Sequence, residues 1–226
     1  MDHIFTDNLN ELISDSSYSL SHHVIHKFKT ELTSKNNRMV VIFSGVSSGG
    51  KTTAGDNVLN LLGDEICRVI HQDDYYKDIS EINKNPFTKC TEWDDLQALK
   101  LDKIHEDVEK WLANKDTSQK LLILDGTMLM ADPFLLKLSD FQFMFHVDYP
   151  IAKIRREKRD TEGDPNWVEP EPENAFELNI WPKYIEHREM FSKFIDEFEL
   201  QQSSFIVDGT RNGGLICEKI LQKIIS

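Results

Sequence analysis

The sequence predicts an α/β fold, a five-stranded parallel sheet with helices on both faces, and two observations carry that expectation. Five short apolar runs, largely β-branched or aromatic, recur along the chain: MVVIF at 39–43, ICRVI at 66–70, LLILD at 121–125, FQFMFHV at 141–147 and SFIVD at 204–208. Continuous apolar runs of this length suit strands buried on both faces, and the longer stretches between them suit the helical crossovers that parallel pairing requires. The second observation is a glycine-rich segment, GVSSGGKT at 45–52, that follows the first run directly.

From the N-terminus, residues 1–37 are predicted as an extension of one or two helices. There Leu9, Leu12, Ile13, Leu20, Val24, Ile25 and Phe28 recur at roughly helical spacing before a polar linker from Thr33 to Asn37. Residues 38–226 are predicted as one domain holding all five strands. Between the second and third runs, Leu96, Leu99, Ile104, Val108, Trp111 and Leu112 approximate one face of a helix spanning Asp94 to Asn114. The segment from Thr161 to Asn174 carries three prolines and many carboxylates, which suit neither helix nor core and predict a long mobile loop. Together with the arginines just before it, this makes a lid at about 155–174.

The bulk composition excludes several functions. With 39 acidic against 26 basic residues the net charge is −13, so the surface as a whole repels phosphate backbones, and nucleic acid is excluded as a partner. The three cysteines, Cys67, Cys90 and Cys217, are scattered and form no C-x-x-C pair, arguing against a disulfide framework and a zinc site. The opening MDHIFTDNLNELIS lacks the basic and apolar regions of a signal peptide, and no apolar run approaches the ~18 residues of a membrane span. A cytosolic location, with the nucleus as the other reducing compartment, is expected. No protein partner is evident.

GVSSGGKT satisfies G-x-x-x-x-G-K-[ST] between a predicted strand and a predicted helix, the context that motif needs. Gly45, Gly49 and Gly50 let the backbone curl, so that N–H groups of the loop, Val46, Ser47 and Ser48 included, turn toward phosphate oxygens. The N-terminal end of the following helix, from Lys51 through Thr52 and Thr53, adds its positive dipole. Lys51 supplies a point charge to the β and γ phosphates of ATP, and the Thr52 hydroxyl is placed for Mg²⁺.

Other carboxylates must decide what such a cradle does. Asp125 ends a buried strand, where ligands of open parallel sheets bind, which makes it a metal-side candidate; Asp-Gly at 125–126 is equally a turn signal. Asp73 and Asp74 follow the second strand, and by spacing alone either is a general base for an attacking hydroxyl or a helix or turn cap. Arg155, Arg156 and Arg159 in KIRREKR adjoin the loop, where guanidinium groups on a closing lid can balance charge on a leaving phosphate. The bland alternative is a solvated helix face.

Taken together, GVSSGGKTT, HQDDYYK, EWDDLQAL, LILDG, KIRREKR, NIWPKY and FIVDGT stand in the order seen in nicotinamide riboside kinases, and TEWDDLQALKL with NWVEP resembles the fungal-type members. The resemblance runs from about Arg38 to the C-terminus. It implies the P-loop kinase fold and transfer of phosphate from ATP, with Mg²⁺, to the 5′-hydroxyl of nicotinamide riboside, nicotinic acid riboside being a further candidate substrate. Residue by residue it implies Asp73 as the general base, with Lys51, Arg155 and Arg159 balancing charge and Thr52 and Asp125 on the metal. Asp94, helped by Arg159, would hold the ribose 2′- and 3′-hydroxyls. Trp93 would stack on the cationic pyridinium, as an electron-rich indole favours, with Trp167 from the lid as its partner. Gly209, Thr210 and Arg211 match the segment whose backbone meets adenine. Gly49 departs from the serine more usual before GK, and the lid TEGDPNWVEPEPEN is longer and more acidic than in many relatives. Two other readings stand beside this one: a uridine or cytidine kinase with the same machinery, and an ATP-binding regulatory protein on a degenerate kinase fold.

Overall fold

A computed structural model describes residues 22–34, 38–162, 172 and 174–225, with 160–162 described by their backbone alone. Its elements run α1 (His22–Ser34), β1 (Met39–Gly45), α2 (Lys51–Leu62), β2 (Cys67–His71), α3 (Leu101–Ala113), β3 (Leu121–Asp125), α4 (Pro133–Leu138), β4 (Phe141–His146), α5 (Tyr149–Glu162), α6 (Trp181–Glu197), β5 (Ser204–Asp208) and α7 (Gly213–Ile225). All five predicted runs are strands. They form one sheet in the order β2-β3-β1-β4-β5, every neighbouring pair parallel.

β1 lies at the centre, and all its residues are buried, because helices cover both sides of the sheet. Side-chain alternation sends Val40 and Ile42, with Leu122, Leu124 and Met144, into a core shared with Ile104, Val108 and Trp111 of α3 and Tyr184, Phe191 and Ile195 of α6. Val41 and Phe43, with Leu121, Ile123, Phe143 and Phe145, face the opposite core, closed by α2 and α7. Phe28 and Leu32 of α1 join this second core, so the described part of the N-terminal extension packs on the domain as a helix. That helix reaches Ser34, one residue past the start of the expected linker at Thr33.

Topology decides where a ligand can sit. The chain leaves β1 for β2 at one edge, returns to β3, and then crosses to β4 on the other side of β1. The crevice over the carboxyl ends of β3, β1 and β4 lies at this change of direction, the place where ligands bind open α/β sheets.

The helix expected over Asp94 to Asn114 starts late, at Leu101. Residues before it are committed elsewhere: Leu96–Ala98 form a 3₁₀ turn capped by Asp95, whose Oδ1 accepts from Gln97 N at 2.9 Å. Leu99 bridges antiparallel to Tyr76, Lys100 N donates to Tyr75 O at 2.8 Å and Lys77 N to Ala98 O at 2.9 Å. Backbone groups taken by these cross-chain bonds cannot serve a helix. Leu112, expected on the buried face, is exposed. Cys67, Cys90 and Cys217 are buried free thiols, and among the described residues no helix is long and apolar enough to cross a membrane. Most of the expected loop from Thr161 to Asn174, Trp167 included, lies outside the described residues, as do residues 1–21 and 35–37 of the extension.

Candidate active site

The glycine-rich segment becomes a tight loop between β1 and α2. Gly45 has φ 126°, and a Cβ there would stand 2.1 Å from the Phe145 carbonyl oxygen, so only glycine fits. The loop is tied by Val46 N to Phe145 O at 3.1 Å and by Gly49 N to Val46 O at 3.0 Å. Gly50 is left-handed, φ 93°, and caps α2 with no side chain, leaving the N–H groups of the first turn unoccupied by a cap. A helix start of this kind attracts an anion. Thr52 and Thr53 are exposed there.

Lys51 is 6% exposed, and its Nζ donates to Val46 O at 2.8 Å, beneath the loop. Burial lowers its pKa to about 8 against the opposing pull of Asp125, Asp73 and Asp94. An ammonium held in so poorly hydrated a place is ready for a strongly anionic ligand.

Asp125 stands at the end of β3, 4% exposed. Its Oδ2 lies 3.0 Å from His71 Nδ1, while Oδ1 is buried with no hydrogen-bond partner. Asp73 occupies a 3₁₀ turn, Gln72–Tyr75, directly after β2. The residue opens onto the cleft, yet its carboxyl is crowded enough that lost hydration is the largest influence raising its pKa; Asp125 adds to this, and Lys51 and Arg159 oppose it. Gln72, fully inside, braces that turn: its Oε1 accepts from Met128 N at 3.2 Å and its Nε2 donates to the Tyr76 hydroxyl at 3.1 Å. Asp74 is exposed and turns its charge toward His71 and Tyr75.

Trp93 is half-buried with its ring edge-on to Tyr76, centroids 5.3 Å apart at 88°. Burial raises the pKa of the adjacent Asp94; Arg156, then Lys51 and Arg159, counter it. The Tyr76 hydroxyl belongs to the same pocket, held neutral by burial and by the charges of Asp94 and Asp73.

α5 brings the arginines over this floor, Arg159 lying one helical turn beyond the adjacent Arg155 and Arg156. Arg155 Nη1 donates to Gly209 O at 2.9 Å, joining the P-loop side to the segment after β5. Gly209 in turn lies so close to the P-loop that a Cβ on it would meet Gly49 O at 2.2 Å. Thr210 and Arg211 both bond Asp208, the last residue of β5. Arg156 is buried, with Nη1 3.0 Å from Ser47 Oγ, and its charge weighs on Asp94 more than that of Arg159 does. Arg159 is exposed, and its charge is felt at Lys51, Asp73 and Asp94.

The structure thus gathers Lys51, Asp73, Asp94, Asp125, Arg156 and Arg159 around one crevice, with Trp93 at its rim. Sequence reasoning does not single out Tyr76 or His71, and it names Arg156 only as one of three arginines beside the loop, with no role of its own. For Arg156 the signal was present, since it belongs to the KIRREKR cluster, but only the helix phase tells which guanidinium points inward. Among the described residues no cluster of three or more His, Cys, Asp or Glu side chains is placed to hold a metal on its own.

A phosphate cradle, a buried lysine and facing carboxylates at the switch point of a parallel sheet define a P-loop phosphotransferase. The chain is 30% identical over 188 residues to nicotinamide riboside kinase 1 of Mus musculus, covering 77% of this chain and 88% of that one. It is also 27% identical to nicotinamide riboside kinase 2 of Homo sapiens, over 67% of this chain and 68% of that one. The chain belongs to the nicotinamide riboside kinase family, and it is a kinase. A uridine kinase of Vibrio campbellii is 26% identical over 79% of this chain and 92% of its own. No family model matches. A solved structure of a possible uridine kinase from Bacillus stearothermophilus superposes with TM-score 0.49 at 13% identity, over 82% of this chain and 98% of that one, too loosely for a functional argument.

Proposed function

We propose that this kinase transfers the γ-phosphate of ATP to the 5′-hydroxyl of nicotinamide riboside, giving the mononucleotide. The observation that carries this reading is the convergence of Asp73 and Asp94 on the crevice that also holds Lys51, Arg156 and Arg159. Two carboxylates facing a phosphate cradle serve an acceptor rich in hydroxyl groups; a regulatory nucleotide binder has no use for them. In this reading Asp94, supported by Arg156, accepts hydrogen bonds from two neighbouring ribose hydroxyls, and Trp93 covers the cationic ring. Asp73 accepts the proton of the 5′-hydroxyl as it attacks. The raised pKa of Asp73 fits this role, because a more basic carboxylate takes a proton more readily.

The P-loop N–H groups and Lys51 hold the β and γ phosphates, and the arginines of α5 offset the charge that builds as the γ-phosphoryl group leaves. Arg155, with Gly209 to Arg211, borders the place for adenine. The orphaned Asp125 Oδ1 and the open Thr52 hydroxyl suit Mg²⁺ entering with the nucleotide. When bound, Mg²⁺ would draw negative charge from the β and γ phosphate oxygens. Residues 155–174, beginning on α5, act as the lid, with Trp167 as the second ring on the base.

A riboside panel tests this reading. With ATP and Mg²⁺, kcat/KM for nicotinamide riboside should exceed that for uridine or cytidine, with nicotinic acid riboside assayed beside them. A uridine rate equal to or above the nicotinamide riboside rate would move the protein among the uridine kinases instead.

A further inference from the structure

We propose that His71 is a positioning residue which clamps one oxygen of Asp125 so that the other is presented to the metal side of the cleft. The inference rests on the phosphotransfer reading above. His71 is the last residue of β2 and pairs in register with Asp125 on β3, so both side chains leave the sheet on the same face at its carboxyl edge. Nδ1 of the ring is 3.0 Å from Asp125 Oδ2, and Nε2 is 3.8 Å from Oδ1 of Asp56 on α2, the helix that begins at the phosphate loop. The imidazole thereby links β2, β3 and α2.

The asymmetry of Asp125 carries the argument. One of its oxygens has a partner and the other, buried, has none. Leaving a buried acceptor unpaired costs about 1–3 kcal/mol, more for a charged group, so an orphan beside a phosphate cradle marks a place completed by a ligand. A carboxylate turns readily about its terminal bond, and either oxygen can face inward unless one is held. The Nδ1–H of His71 holds it. This is how outer-shell partners orient metal-side groups in general, and their loss typically weakens metal binding by about 10–100-fold.

The test compares full-length wild type with His71→Asn, His71→Gln, His71→Ala and Asp125→Ala. Asparagine can place an N–H near the position of Nδ1; the longer glutamine places it near Nε2, and alanine has none. Binding of Mn²⁺ to the enzyme–ADP complex is read by electron paramagnetic resonance, and ADP binding in excess EDTA is read separately. The expected result is that His71→Ala and His71→Gln lose about tenfold or more in Mn²⁺ affinity, His71→Asn stays close to wild type, and ADP binding in EDTA holds throughout. If His71→Ala does not fold, the asparagine–glutamine contrast decides, because a purely structural role would not separate them. Mn²⁺ affinity unchanged in the alanine and glutamine variants, or lost equally in all three, overturns the proposal. Unchanged Mn²⁺ binding in Asp125→Ala would instead remove Asp125 from the metal side, and His71 with it, while leaving the riboside assay untouched.

Discussion

His187, on the buried face of α6, should make this protein lose stability in mild acid. The residue is 7% exposed, and burial lowers its pKa from 6.5 to about 4, with Glu186, Lys183 and Asp95 the charges that face it. Because the folded value is depressed, the neutral ring is the one the fold accepts. Above pH 6.5 the ring is neutral in both states and its stability contribution is complete. As pH falls from 6.5 toward 4, the unfolded chain takes up a proton that the folded chain refuses, and stability drains away. At about 1.4 kcal/mol per pH unit, the interval from 6.5 to about 4 corresponds to roughly 3 kcal/mol, a large part of an ordinary domain's total. The assay is urea unfolding of wild type and His187→Gln at steps from neutral pH down to about pH 4. Carboxylates common to both proteins cancel in the difference. Glutamine does not titrate, so the variant's stability should fall less steeply with acid, and the two curves should converge or cross. Parallel curves would refute the reasoning, showing that His187 is as easily protonated folded as unfolded.

Asp73→Asn should leave ATP binding nearly intact and lower kcat about 10²- to 10⁴-fold, measured by steady-state kinetics and by nucleotide binding in parallel. Near-normal turnover would move the base to Asp74. Trp93→Ala should raise KM for nicotinamide riboside more than for uridine, since a cation over indole contributes roughly 0.5–2 kcal/mol; Asp94→Ala and Arg156→Ala should impair both ribosides. An unchanged preference in Trp93→Ala would show that its edge-on contact with Tyr76 is packing alone, and would make Trp167 the next ring to replace.

Much of this protein is written locally. Continuous apolar runs such as MVVIF and LLILD suit strands covered on both sides, and β1 and β3 are buried throughout, while the more mixed runs of the edge strands β2 and β5 are only partly buried. The P-loop is local in part: Gly49, where a Cβ would stand 2.8 Å from Val46 O, and left-handed Gly50 answer to their own turn, whereas Gly45 answers to Phe145 O on the distant β4. Asp125 and Asp73 are legible as site candidates because Asp125 ends a strand and Asp73 closely follows one, and strand ends converge on one edge of a parallel sheet. What the sequence by itself left open depends on contacts between distant segments. The stretch from Asp94 to Lys100 has a helical pattern, yet its backbone is claimed by residues 75–77, a pairing no local periodicity reveals. Arg155, Arg156 and Arg159 read alike in sequence; the docking of α5 sends Arg155 to Gly209, Arg156 inward beside Ser47 and Asp94, and Arg159 toward solvent. His71 lies just past the predicted run at 66–70 and carries no role in the sequence reading; the pairing of β2 with β3 sets its ring against Asp125. Strand identity follows from the burial of single side chains, which composition records, whereas the choice among equivalent charged groups follows from register and helix phase, which exist only once the sheet has formed.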